Sequence, residues 1–501
     1  MTRTTLSLIA TATALAAVTG VAALTVPDDP PGEATAAAPA RLPVERSTLL
    51  CPGPGLSDLS ETTYTALTPE GKDTGKGTAR LDAALKDGQK PDPKRKPAAR
   101  ATQPGKPVTA QAEGAGDPAL IGDAHEGMAP GFTAQQTTVI DAGSGRGLSG
   151  TACTAPDSRF LFPGVSTHRS RQDYVVLTNP DDGQAVVDLD LFGPEGRVLS
   201  ESGEGVPVPG HGSASVLLST LTGEPADALA LQVTARSGRV GAAVRATDDR
   251  LGGDWLAPAA DPAAALVLPG IPKDATSVRL VAYAPGEEDA ELAVRFSGPT
   301  GTITPAGHES LTVKGGMTAS VDFADLTAGE GGSLVLRPAE DSAPVPVVAA
   351  LRVTRGKGAS AETAFIPATA ALTGRATAAG SWAPSRNGRG TVLALAAPGG
   401  EVRVKVTASD GSRGGTGTEE TYTVKAGTTL TVTDPPVPDG DLDGGRYALT
   451  VERTGGGELY AARMLELQQG GVAMFTVQTL PDDHGTVAVP RTRQDISLLA
   501  D

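Results

Sequence analysis

The sequence predicts an all-β chain, a series of tandem immunoglobulin-like β-sandwich domains behind an N-terminal membrane or signal helix. Three observations predict it. Gly 63 and Pro 40 together make up about a fifth of the 501 residues, a content of turn formers that long helices tolerate poorly and short strands need. Apolar residues alternate with period two between turns written Asn-Pro, Asp-Gly, Pro-Gly and Gly-Gly, the pattern of half-buried antiparallel strands. Two sets of sequence markers also recur with a period of about 105–115 residues, which signals a repeated domain. Aromatic residues are only 3%, so the cores are built from Val, Leu, Ala and Ile.

The first element is "MTRTTLSLIATATALAAVTGVAALTV" at 1–26. After Arg3 it carries no charge as far as Val26, long enough to span a bilayer as a helix. A small-residue cleavage site at Gly20-Val21-Ala22 makes it equally a signal peptide. Cleaved or retained as an anchor, it places the chain from about residue 27 onward outside the cytoplasm, with Arg3 on the inner side. Residues 27–46 show neither helical nor strand periodicity and read as a flexible linker.

The first domain is expected over 47–158. It contains both cysteines of the chain, Cys51 and Cys153. In an extracytoplasmic setting they form the one available intramolecular disulfide; two free thiols are the alternative. Within this domain, 70–108 holds ten Lys or Arg against five acids, with Pro and Gly throughout. That composition predicts a disordered basic insertion, either a solvated loop or a contact for an anionic wall polymer or lipid headgroups. "GRGLSGTACTAP" at 145–156 reads as the counterpart of "GRVGAAVRATDD" at 238–249.

Three further sandwiches are expected over 159–260, 261–372 and 373–490, with a C-terminal tail over 491–501. "RFLFPG" at 159–164 and "ALVLPG" at 265–270 open the first two, with Pro-Gly bending the chain after a buried run; "SWAPS" at 381–385 takes that place in the last. Val208, Val313 and Val424 recur at offsets of 105 and 111, and Ala243, Ala350 and Ala462 at 107 and 112. Strand alternation is clearest through Val187, Leu189 and Leu191, through Leu292, Val294 and Phe296, and through Val402, Val404 and Val406.

The formal net charge of −16 removes the counterion-release advantage that nucleic-acid binders exploit, so nucleic acid is excluded as a partner of the whole molecule. "GRGLSG" at 145–150 satisfies G-x-G-x-x-G, but a Pro- and Cys-containing stretch comes next, where a dinucleotide site needs a helix. "DGDLDGG" at 439–445 places Asp439, Asp441, Asp443 and Gly444 at the first positions of a calcium loop. The closing bidentate acid falls on Thr450, with Glu452 two residues late, so an acidic turn competes with a calcium site; no other cofactor is expected. The five histidines, at 125, 168, 211, 308 and 484, show no close ligand spacing, and there is no nucleophile elbow. Trp255 and Trp382 stand near domain boundaries, where packing competes with stacking on sugar.

With these features in order, the chain resembles a family of exported actinobacterial proteins of unknown function. The likeness rests on the weak N-terminal membrane segment, "RLPVERSTLLCPGP" at 41–54 and "GTACTAPDSRFLFPG" at 150–164. It implies an envelope or extracellular location and supplies no catalytic residue. The expectation is a non-enzymatic exported cell-envelope protein with a binding or scaffolding role, its partner an envelope protein or cell-wall polymer, and the membrane itself if the N-terminal helix is retained. The alternative is a carbohydrate-active or other hydrolytic envelope enzyme with a site assembled across domains.

Overall fold

Period-two alternation becomes extended chain wherever it is strong. A computed structural model describes residues 39–490 apart from positions 56, 87, 93, 144, 201, 386, 387, 443 and 444. Its regular structure is strand throughout, save two single-turn 3-10 segments at Leu218–Thr220 and Gly358–Ser360. Among the described residues no helix is long and apolar enough to cross a membrane; the expected helix over 1–26 and the tail over 491–501 lie outside them. The linker expected over 27–46 ends in a strand, because Ala40–Pro43 finds a hydrogen-bonding partner in Thr486–Val489 at the other end of the chain. Composition could not reveal a partner so distant.

Residues 43–487 form one compact body, in which a set of eight strands is repeated four times. The second set shows the plan: Arg159–Val165, Arg171–Thr178, Ala185–Gly193, Gly196–Val198 (continued by Val206–Val208), Ser213–Leu217, Leu229–Ser237, Gly241–Asp248 and Gly252–Leu256. The first, sixth, third and fourth strands make one antiparallel sheet, and the fifth, second, seventh and eighth make the other; all four sets share this order. The two sheets close on a common core. In the second set Val187, Leu189 and Leu191 meet Val175, Leu177 and Val244 from the opposite sheet, and both cysteines lie in the core of the first.

The segment 70–108 departs from expectation. It is not a disordered insertion: Gly77–Ala83 and Ala99–Ala101 are the third and fourth strands of the first set, paired through Ala79–Ala101, Arg80–Arg100 and Leu81–Ala99. Ala79, Leu81, Ala99 and Ala101 are buried while Arg80 and Arg100 point out. Counting charge over the window hid a period-two alternation of small apolar and cationic residues.

The Pro-Gly echo also has a different cause. The chain does not turn there; it bulges and continues, with the register slipping between Pro163 and Val165 and between Pro269 and Ile271. Proline has no N–H to give the ladder, and the next residue adopts φ +96° at Gly164 and +98° at Gly270, which only glycine does without strain. In the last set the equivalent slip lies between Ala378 and Ser381, so "SWAPS" begins one bulge too late. Likewise 145–156 is not the counterpart of 238–249: Gly241–Asp248 is a seventh strand and Gly147–Ala152 an eighth, the true counterpart being Thr133–Ile140.

Each bulge faces the next set. A Cβ on Gly270 would lie 3.0 Å from Ala462 Cβ and 3.1 Å from Val477. Gly164 looks onto Val281, the strand partner of Ala350, and Gly380 onto Thr65. The recurring alanines are therefore the other half of the recurring Pro-Gly: the first strand of one set packs on the seventh strand of the next, and small residues on both sides allow close approach. The relation is cyclic. Arg159–Val165 packs on Val348–Arg355, Leu266–Ile271 on Tyr460–Gln469, Arg375–Ser381 on Thr133–Ile140, and Arg46–Cys51 on Gly241–Asp248. The fourth set thus returns to the first and closes a ring. Its axis is made by the four eighth strands, where Gly147–Ala152 and Glu362–Pro367 each pack against both Gly252–Leu256 and Val472–Thr479.

Candidate functional site

Where cationic side chains alternate with buried alanines, the sheet sorts them onto its outer face, and this makes the first candidate surface. Every one of the ten Lys and Arg between 70 and 108 is exposed. Arg80 and Arg100 are directly opposed across their strands, so they share a face; the next strand adds His125, directly opposed to Arg46. The loop between the two strands is held by its own backbone, with Gln89 N–H donating to Lys86 O at 2.9 Å, Arg95 N–H to Asp92 O at 3.0 Å, and Lys94 N–H to the Asp92 carboxylate at 2.9 Å. Lys86 Nζ ties it to Gly116 O at 2.7 Å. Lys90, Lys94 and Lys96 project from this frame. Arg80 is neutralised by Asp82 at 2.8 Å.

The second candidate is a crater of about 740 Å³ at one end of the ring axis. It lies where the eighth strands run out, at Ala152, Ala257 and Thr479, and its wall includes Arg46, Phe132, Arg239, Cys153 and the loop Leu480–His484. Burial works to raise the Asp482 carboxyl, but hydrogen bonds from Thr373, Gly374 and His484 outweigh it and hold the group below the usual range. Thr373 Oγ1 lies at 2.7 Å and the Gly374 nitrogen at 2.8 Å. Asp483 pairs with Arg375, whose guanidinium reaches Glu70 O at 3.1 Å in the first set. Burial raises its carboxyl against that pairing.

The axis itself is polar at two levels. Asp254 is fully buried, accepting hydrogen bonds from Gly150 N at 2.9 Å, Trp255 N at 2.8 Å and Thr476 Oγ1 at 3.0 Å. A further bond comes from the Phe365 amide, so one carboxylate joins all four eighth strands. Burial pushes its pKa well up. At the pole opposite the crater, Glu362 Oε1 accepts from Arg146 Nη2 at 2.9 Å and Nε at 3.2 Å.

The structure separates most of the residues singled out from sequence. Cys51 and Cys153 form a disulfide with Cα atoms 4.3 Å apart, beside the crater. Asp439 is engaged through its backbone in a bridge to Thr416, Asp441 stands beside it in an exposed loop, and Asp443 and Gly444 lie outside the described residues. Among the described residues no group of three or more His, Cys, Asp or Glu is placed to hold a metal ion. Trp255 and Trp382 are both 3% exposed, so each packs at a seam and neither offers a face to sugar. His484 reaches the crater, while His211 contacts Asp182 at 2.7 Å and His308 packs edge-on against Phe323. Arg239, Asp482 and Asp483 carried no local signal; they come together at the crater only because sheet ends from different sets meet, and Asp254, inside the axis, carried none either.

A family model described as a family of unknown function (DUF5719) matches residues 108–435. No curated protein matches the chain. The match covers more than half of the sequence, and the chain belongs to the DUF5719 family.

Proposed function

For this member of that family we propose a non-enzymatic, extracytoplasmic cell-envelope protein, a rigid ring that holds a polyanionic wall polymer on its basic face. The observation that carries the reading is the ordered cationic surface of 70–108, ten exposed cations on a strand frame within a chain of net charge −16. A preformed positive face attracts a polyanion at long range and loses little entropy on contact. The disulfide fits an oxidising compartment, and the uncharged stretch 4–26 supplies a route there, as cleaved signal or as anchor.

We read each pair of sheets as an immunoglobulin-like sandwich, with the chain divided at 158, 260 and 372. Support comes from the second strand pairing with the fifth and the third with the sixth, the Greek-key core of that fold. A hydrolytic site would want paired acids in an open cleft. Asp254 and Glu362, whose carboxyls burial pushes up, are spent inside the ring on hydrogen bonds and an ion pair, and the crater acids Asp482 and Asp483 are engaged by Thr373 and Gly374 and by Arg375. The test is retention of the purified protein on isolated cell-wall polymer across a salt series. The triple variant Lys90→Glu, Lys94→Glu, Lys96→Glu should lose retention and flatten the salt dependence; undiminished retention would overturn the reading.

A further inference from the structure

Arg463 stands directly opposite Leu393 on one neighbour and Gln478 on the other. Opposed residues share a face, and Leu393 belongs to the core of the fourth set; the guanidinium is thus inside the protein, 0% exposed. Its Nη2 donates to Gln478 Oε1, but Nε and Nη1 meet no acceptor among the described residues. Around it the shortage repeats. Arg446 Nη1, Arg389 Nε and the indole Nε1 of Trp382 are buried N–H groups without a partner among the described residues, against two orphan oxygens, Gln136 Oε1 and the Tyr447 hydroxyl. Arg446 and Arg389 both lie over the Trp382 ring, at 5.1 and 5.9 Å. Arg446 Nη2 donates to Thr63 Oγ1 of the first set, at 3.0 Å. The cluster therefore sits in the seam that closes the ring.

Among the described residues no carboxylate pairs with these charges. The titratable groups acting on Arg463 among the described residues are Arg446 and the neutral Tyr447 phenol; burial and then Arg446 bring its pKa down to about 9, which leaves it cationic at neutral pH. Arg446 is lowered to about 10 by burial and by Arg389. The other seams show what is missing. Arg171 pairs with Asp173 at 2.7 Å, and Arg355 with Asp274 at 2.7 Å and Glu466 at 2.8 Å. A buried cation without an opposite charge costs several kcal/mol, and guanidinium has only donors to offer. We propose that the seam between the fourth and first sets binds a small inorganic anion, a halide, held by Arg463, Arg446 and the Trp382 indole N–H.

The halide class follows from the lining. N–H donors and apolar side chains (Leu148, Leu465, Val472 and Met474 pack with Trp382) suit a monovalent, weakly hydrated ion. A divalent oxyanion such as sulfate would also have to shed a costly hydration shell there. The donors all belong to the fourth set, and Arg446 also donates to Thr63 of the first, so an ion that neutralises it stabilises ring closure. The inference is independent of the polymer reading.

The test unfolds and refolds the full chain in chloride-free sodium gluconate, then follows Tm as chloride replaces gluconate at constant ionic strength. A saturable rise of a few degrees is expected for the native protein, and none for Arg463→Met. Crystals soaked in bromide should show an anomalous peak beside Arg463 Nη1, which decides the matter if the variant fails to fold. A Tm indifferent to chloride together with no bromide peak overturns the proposal. An equal saturable rise with sulfate overturns the halide assignment.

Discussion

Glutamine at position 362 should remove a pH dependence built into the pole of the ring. The Glu362 side chain is 1% exposed, and burial raises its pKa from 4.5 to about 7 despite the bonds and charge of Arg146. The folded state therefore holds the proton more tightly than the unfolded chain. The stability this group contributes is fully present below about pH 4.5 and is lost as pH rises toward 7. At about 1.4 kcal/mol per pH unit, the interval from 4.5 to about 7 amounts to about 3 kcal/mol. Glu362→Gln keeps the accepting oxygen that Arg146 uses and places an amide where Oε2 has no partner. Urea unfolding of both proteins from pH 4 to pH 8 isolates this one titration, because every other group cancels in the difference. The variant should gain about 3 kcal/mol on the parent across that range. A pH-independent difference would show that Glu362 ionises as it would in water, and the reasoning from burial would fail.

The double variant Cys51→Ser, Cys153→Ser opens a loop of sequence separation 102 and should lower unfolding free energy by about 4–5 kcal/mol on the chain-entropy view, read from urea midpoints. Gly270→Ala and Gly164→Ala share a positive φ, but only the first drives a methyl to 3.0 Å from Ala462; the second finds its nearest neighbour at 3.9 Å. Their difference, about 1–3 kcal/mol, measures how tightly the seam is packed. Asp254→Asn turns an NH2 group toward N–H or O–H donors that both carboxylate oxygens now satisfy. It should cost about 1–3 kcal/mol, seen as a lower Tm.

The sheet-forming pattern and the repeat were legible because strand alternation and turn chemistry are local, and because a period survives drift at single positions. Val208, Val313 and Val424 do occupy one place, opposite the first residue of each third strand: Ala185, Ala290 and Val402. The first set, expected over 47–158, lacks the alanine marker of the others for a specific reason. At the place of Ala243, Ala350 and Ala462 it carries Gln135, directly opposed to Thr65, and a polar residue there breaks the marker while serving the seam, where Gly380 N–H reaches its amide oxygen at 3.4 Å. Nothing local announces a ring. Closure depends on which faces meet, and those faces read simply as alanine-rich strand. The basic segment misled for the opposite reason: its net charge is conspicuous, while the buried Ala79, Leu81, Ala99 and Ala101 that fix it are small and easily read as filler.

Ring closure also dictates when this protein can finish folding. The contacts that close it are among the most distant the chain can make: Arg446 to Thr63 spans 383 residues, Gln469 to Asp141 spans 328, and Arg375 to Glu70 spans 305. A chain emerging from its N-terminus can complete three sets and still display two unmatched apolar faces, at Leu67 beside Thr133–Ile140 and at Val267 and Val335. Only the last hundred or so residues cover both at once. Long-range pairing of this kind is slow, and until it happens the fourth set of a second molecule fits as well as the chain's own. Truncation near residue 370 should therefore yield swapped or aggregated species, and no shorter soluble ring.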